Sequence, residues 1–143
     1  MAVTREEWAA EFLDRARWPV SYKNLVAMVA WIAAEGSPDN PPQAKWNPLN
    51  TTMPWPRSSQ FNSVGVRNYA SLQDGLDATL KTIQANGHGY EAIRRRLKRS
   101  ANPRRTLDAV EASAWGTGGL AKSIVDDVKN SYDAYSTKPI GQD

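Results

Sequence analysis

Between Trp31 and Thr52 the chain reads WIAAEGSPDNPPQAKWNPLNTT, and Glu35 stands where the apolar part gives way to polar loop. A carboxylate at the C-terminal end of a helix faces the negative end of the helix dipole. Contact with an apolar helix body disfavours its charged form in the same direction. Both effects favour the protonated acid, the form that can hand a proton to the leaving oxygen of a glycosidic bond. A solvated glutamate at a helix end is the competing reading of the same spacing. Asp39 is the nearest second carboxylate in sequence. A retaining glycosidase would need the pair about 5–5.5 Å apart, an inverting one about 6.5–9.5 Å. Asp39 equally suits a turn beside Pro38 and Asn40.

The elements that must position these groups are mostly helices, about six in all. Thr4 with Glu7 makes a capping-box pattern ahead of Trp8, Phe12 and Ala16, which give Arg5–Arg17 an apolar stripe that Pro19 ends. Ser21 can cap a second helix in which Leu25, Met28, Val29 and Ile32 share one face. Val26, Ala30 and Ala33 leave its other face nearly apolar, so that helix belongs in the core. Residues 36–60 are rich in Pro, Asn, Ser and Thr and read as a long irregular region. Alternation through Val64, Val66 and Asn68 suggests a short strand over Phe61–Tyr69. Ser71 with Asp74 opens a third helix carrying Leu72, Leu76, Leu80 and Ile83, and helices near 90–99, 106–114 and 119–133 follow. The expected organisation is one domain over 1–135, with 136–143 (STKPIGQD) as a tail or linker.

Composition narrows the chemistry. The 143 residues include no cysteine and one histidine, His88, which leaves neither a thiol nucleophile nor a Cys/His metal set, so no metal and no cofactor is expected. No apolar run reaches the roughly 20 residues of a membrane span. MAVTREEW lacks the basic-then-apolar order of an export signal, which predicts synthesis in the cytoplasm without a signal peptide. A net charge of +3 favours an anionic partner. The strongest charge feature is RRRLKRSANPRR, where Arg94, Arg95 and Arg96 are candidates for gripping an anionic cell wall; a solvated helix face is the alternative. A nucleic-acid partner is disfavoured, because the stretch has neither a reader motif nor interleaved aromatics.

The order AEG, NPLNTT, FNSVGVRNYAS, DGLDAT, a Y..I...L helix and SAWGT resembles a lysozyme-like cell-wall hydrolase module of the kind found in phages of actinobacteria, over about Ala27 to Thr117. The wider superfamily includes lysozymes, lytic transglycosylases and bacterial glucosaminidases. The resemblance implies a mainly α (α+β) lysozyme-like fold, with a short strand or hairpin after a catalytic glutamate that maps to Glu35. It implies peptidoglycan glycan strands as substrate, and a phage lysin acting at the bacterial wall. NPLN, Asn47 to Asn50, is similar to the segments that follow the acid in those families. Lytic transglycosylases usually follow the acid closely with serine and later carry a GLMQ-like turn, whereas this chain has AEGSPDNPP and no such turn. Without a second carboxylate, Asn50, Thr51, Thr52, Gln60 and Asn62 are candidates to position a water or the sugar's acetamide, though each also suits loop bonding. Tyr69 and Tyr90 are candidate cleft hydroxyls or packing residues. Trp46, Trp55 and Trp115 could stack on sugar rings, whereas Trp8, Trp18 and Trp31 sit in helical, core-like contexts. Two rival classes stay open: a wall peptidase or amidase, and a non-catalytic wall-binding or virion structural module.

Overall fold

A computed structural model describes residues 2–36, 43–116 and 118–142. Helix α1 (Arg5–Ala16) begins with the expected capping box: the Glu7 N–H donates to Thr4 Oγ1 at 3.1 Å and the Thr4 N–H to Glu7 Oε1 at 3.0 Å. Helix α2 (Tyr22–Glu35) is capped by Ser21, which accepts from the Asn24 N–H at 3.2 Å. Val26 to Ile32 is buried without interruption, because α2 is packed against α1, α5, α6 and α7. A helix apolar on every face is stable only when surrounded in this way.

Helix α3 (Leu72–Ile83) packs on α1 and on α4 (Tyr90–Lys98); α4 lies against α5 (Pro103–Ala112), which lies against α6 (Gly118–Asn130). The fifth helix starts earlier than the expected 106, since Asn102 caps it and Pro103 occupies its first turn. The expected helix over 119–133 is two: α6, then the short α7 (Tyr132–Ser136) after a break at Ser131. Trp8, Trp31, Phe12, Leu13, Met28, Leu76, Ile93, Leu97 and Leu107 fill the core, and all are fully buried.

The extended region is a small hairpin rather than a strand over Phe61–Tyr69. Strands β1 (Ser59–Gln60) and β2 (Arg67–Asn68) pair antiparallel, Ser59 opposite Asn68 and Gln60 opposite Arg67. Asn62 Oδ1 accepts from the Val66 N–H at 3.0 Å and Gly65 has φ 95°, so the valines that suggested alternation lie in the turn, with Val64 76% exposed. The C-terminal segment also differs from a frayed tail or linker. Ile140 is 4% exposed, its N–H donates to Val3 O at 3.0 Å, and Gln142 bonds both the N–H and the carbonyl of Val3. Ile140 joins the hydrophobic core, and the backbone of Lys138 and Gly141 accepts from the N–H groups of Arg5 and Trp46, so the segment is docked beside the start of α1.

Candidate functional site

The last turn of α2 leaves the core at Glu35, and Gly36 closes the helix with its N–H on Ile32 O at 3.2 Å. Arg5, 5% exposed, donates from Nη2 to Gly36 O and from Nη1 to Tyr135 O, both at 3.2 Å. A guanidinium at a helix C-terminus complements the carbonyl ends of the dipole.

Across from this helix end lies the loop NPLNT, held by Asn47. The Asn47 side chain accepts from the Thr51 N–H at 2.9 Å and donates to Thr51 O at 2.9 Å and Arg67 O at 2.8 Å. Leu49, fully buried, pins the loop to the core. Asn50 takes a left-handed conformation, φ 57°, which asparagine tolerates better than most residues. Its Nδ2 thereby donates to Glu35 O at 2.9 Å and approaches Glu35 Oε2 at 3.4 Å. The second wall comes from α3 and the start of α4. Thr82 Oγ1 lies 2.7 Å from Thr51 Oγ1, and Tyr90 opens α4 just after Gly89. At Gly89, φ is 80° and an added Cβ would sit 3.0 Å from Ser113 Cα, so this position demands glycine. Trp115 completes the wall: its Nε1 donates to Leu49 O at 3.0 Å, and its ring packs edge-on to Trp31 at 5.1 Å and against Tyr90 at 5.7 Å.

Glu35, Asn50, Thr51, Thr52, Thr82, Tyr90, Ala114 and Trp115 line an open cleft of about 230 Å³. One carboxyl, an amide, three threonines, a phenol and an indole around an open space suit a ligand with many hydroxyls and an apolar ring face. Burial raises the Tyr90 phenol above its ordinary range, which keeps it a neutral donor. Among the described residues no second carboxylate lines the cleft; Asp39 lies outside the described residues. Also among the described residues, no group of His, Asp and Glu side chains is placed to hold a metal ion, and no helix is long and apolar enough to cross a membrane.

Six of the residues singled out in sequence therefore meet at one cleft: Glu35, Asn50, Thr51, Thr52, Tyr90 and Trp115. Four others do not. Asn47 is 1% exposed and spends its amide on the loop backbone. Gln60 donates to Asn62 O at 2.6 Å and Asn62 closes the hairpin turn, so both shape the hairpin. Tyr69 is 2% exposed and donates to Met53 O at 2.7 Å; burial pushes its phenol up to about 12, against the smaller opposing effects of Arg67 and a hydrogen bond with Thr51. Neither Trp46 nor Trp55 lines the cleft: Trp46 packs against the core, and Trp55 lies under the Lys81 ammonium at 5.8 Å. The lining residue that sequence reading missed with chemistry to offer is Thr82. Its signal was a hydroxyl in the last turn of α3, but nothing in sequence shows that NTT comes up against that turn.

The arginine run divides by role. Arg94 Nη1 donates to Ile83 O at 2.7 Å and Ala85 O at 3.2 Å, and Nη2 to Asn86 Oδ1 at 3.1 Å, so Arg94 caps the end of α3. Arg95 is exposed, and with Lys98, Glu91 and Trp18 it borders a shallow groove. Arg96 faces the α5 side with Arg105 and Asp108. No protein-family model, curated protein or solved structure matches this chain.

Proposed function

We propose that the chain is a lysozyme-like peptidoglycan glycosidase, encoded by a phage of an actinobacterium, with Glu35 as general acid. One observation carries the reading: the carboxyl at the end of the core helix opens onto a cleft whose facing loop places an amide beside it, Asn50 Nδ2 at 3.4 Å from Oε2. In this mechanism Glu35 gives its proton to the glycosidic oxygen as the bond breaks. Asn50, Thr51 and Thr52, on one stretch of loop, hold the acetamide or the attacking water. The outcome is hydrolysis, or intramolecular attack by a sugar hydroxyl that leaves an anhydro end. The side of α4 that carries Arg95 and Lys98 supplies attraction to the anionic wall, screened as ionic strength rises.

The test is digestion of purified peptidoglycan followed by mass spectrometry, with wild type and Glu35→Gln in parallel. New reducing or anhydro sugar ends are expected from the wild type. Glu35→Gln should lose at least about 10²–10⁴-fold, the usual contribution of a positioned proton donor, while keeping its fold. New amino groups without new sugar ends would establish a wall peptidase or amidase instead, and an unchanged polymer a binding or structural module.

A further inference from the structure

One more ring stands against Tyr90 beside the cleft. His88, the single histidine, stands in the turn Asn86–Gly89 with its ring nearly parallel to that of Tyr90, centroids 5.5 Å apart and planes 28° from one another. Tyr90 in turn touches Trp115, and Trp115 touches Trp31, so four aromatic rings run in series from the buried core helix to solvent. Trp31 is fully buried, Trp115 half-buried and His88 exposed.

The scaffold fixes the outermost ring. The Ala114 N–H donates to His88 O at 2.8 Å. Gly89 presses its backbone on Ser113, and Gly87 and Gly89 both take left-handed φ, 85° and 80°. This turn is thus tied to the strand of chain that carries Ala114 and Trp115 along the cleft. Among the described residues, no hydrogen bond or ion pair of the His88 ring accounts for so constrained a placement; the ring lies on the face of Tyr90.

We infer that His88 and Tyr90 form a sugar-binding subsite at the outer end of the cleft, taking a neutral N-acetylated pyranose by ring stacking. The inference rests on the glycan reading of the cleft and extends it by one ring. A pyranose has an apolar C–H face and a hydroxylated rim. A flat ring with polar nitrogens at its edge, beside a phenol that stays a neutral donor, matches both features at once. A densely anionic ligand has less to gain here, since the cleft itself is lined by one carboxyl and no cation among the described residues.

The test uses Glu35→Gln, so that no ligand is consumed, and the N-acetylglucosamine trisaccharide as probe. Because the chain has one histidine, the two imidazole C–H resonances belong to His88 without assignment. Addition of the trisaccharide should shift them together with the backbone amides of Thr52 and Tyr90. Placing His88→Ala in the same background should weaken binding by about three- to tenfold, the scale of one aromatic stacking contact, and His88→Phe, which keeps a flat ring, should restore most of it. Shifts at Thr52 and Tyr90 with the imidazole unmoved, or His88→Ala binding as tightly as its parent, would overturn the subsite and leave the cleft reading standing. No shift at any of these positions would overturn both.

Discussion

Replacing Gly75 by alanine tests whether the loop that serves the cleft is seated on α3 as described. By helix propensity alone the change should stabilise, since glycine inside a helix costs about 0.5–1 kcal/mol relative to alanine. The structure reverses the sign. A Cβ at Gly75 would lie 1.9 Å from Trp46 O, a backbone atom, so helix or loop must move by more than 1 Å to reach ordinary contact. Neither moves easily: Leu76, Ala78 and Thr79 are buried on the helix side. On the loop side, the N–H of Trp46 is held by Gly141 O at 2.8 Å and Lys45 O by the Tyr69 N–H at 2.9 Å. Overpacking costs about 1–3 kcal/mol, and loss of one backbone hydrogen bond adds about 1 kcal/mol. After the propensity gain is subtracted, the net destabilisation is about 1–3.5 kcal/mol. At roughly 2–4 °C per kcal/mol for chains near this size, Tm should fall by about 2–14 °C. Urea unfolding followed by tryptophan fluorescence, alongside calorimetry, measures both quantities. Gly36→Ala is the control, because among the described residues its added Cβ would meet only Gln43 Oε1, at 3.8 Å, and it should change little. A Gly75→Ala protein as stable as wild type, or more so, would refute the close approach of Trp46 to α3.

Removing the Tyr69 hydroxyl gives a pH signature. Its phenol holds its proton to about 12 in the folded chain and to about 10 unfolded, so the folded state binds more protons between those values and stability falls as pH rises through that window. Tyr69→Phe should flatten part of that decline in alkaline urea melts; an unchanged slope would place the raised titration elsewhere. Arg94→Gln should destabilise by about 1–3 kcal/mol at every salt concentration, because it strips the caps from Ile83 O and Ala85 O, as thermal melts in low and high salt would register. Arg95→Gln should instead leave Tm alone and weaken wall pull-down most at low salt. Asp39→Asn, if Glu35 acts alone, should keep most muralytic activity, and a severe loss in a folded protein would restore a two-carboxylate mechanism.

Local grammar was well written in the sequence. Thr4, Ser21 and Ser71 each cap the helix they were expected to cap, because an N-cap is decided within three residues. Glu35 was legible for a related reason: an unbroken apolar helix must be central, and its first polar end must emerge somewhere. What could not be read was contact over distance. Asn47 and Tyr69 carry polar groups as suitable as those of Asn50 and Tyr90, and their burial follows only from where Thr51, Met53 and Arg67 come to rest. Arg94 looked like its neighbours Arg95 and Arg96 until the end of α3 was placed beneath it. The hairpin was misjudged because alternation over so few residues cannot separate a strand from a turn that displays one valine.

The clasp between Val3 and residues 139–142 also sets an order of events. Val3 finds its partners in Ile140 and Gln142, and the Trp46 N–H finds its partner in Gly141. As the chain leaves the ribosome, α1 to α5 can gather early, since chains fold as synthesis proceeds. The loop that presents Asn50 to Glu35, however, acquires its anchor at Trp46 only when residues 139–142 have emerged. A nascent chain therefore carries every lining residue of the cleft, up to Trp115, before the loop has its anchor at Trp46.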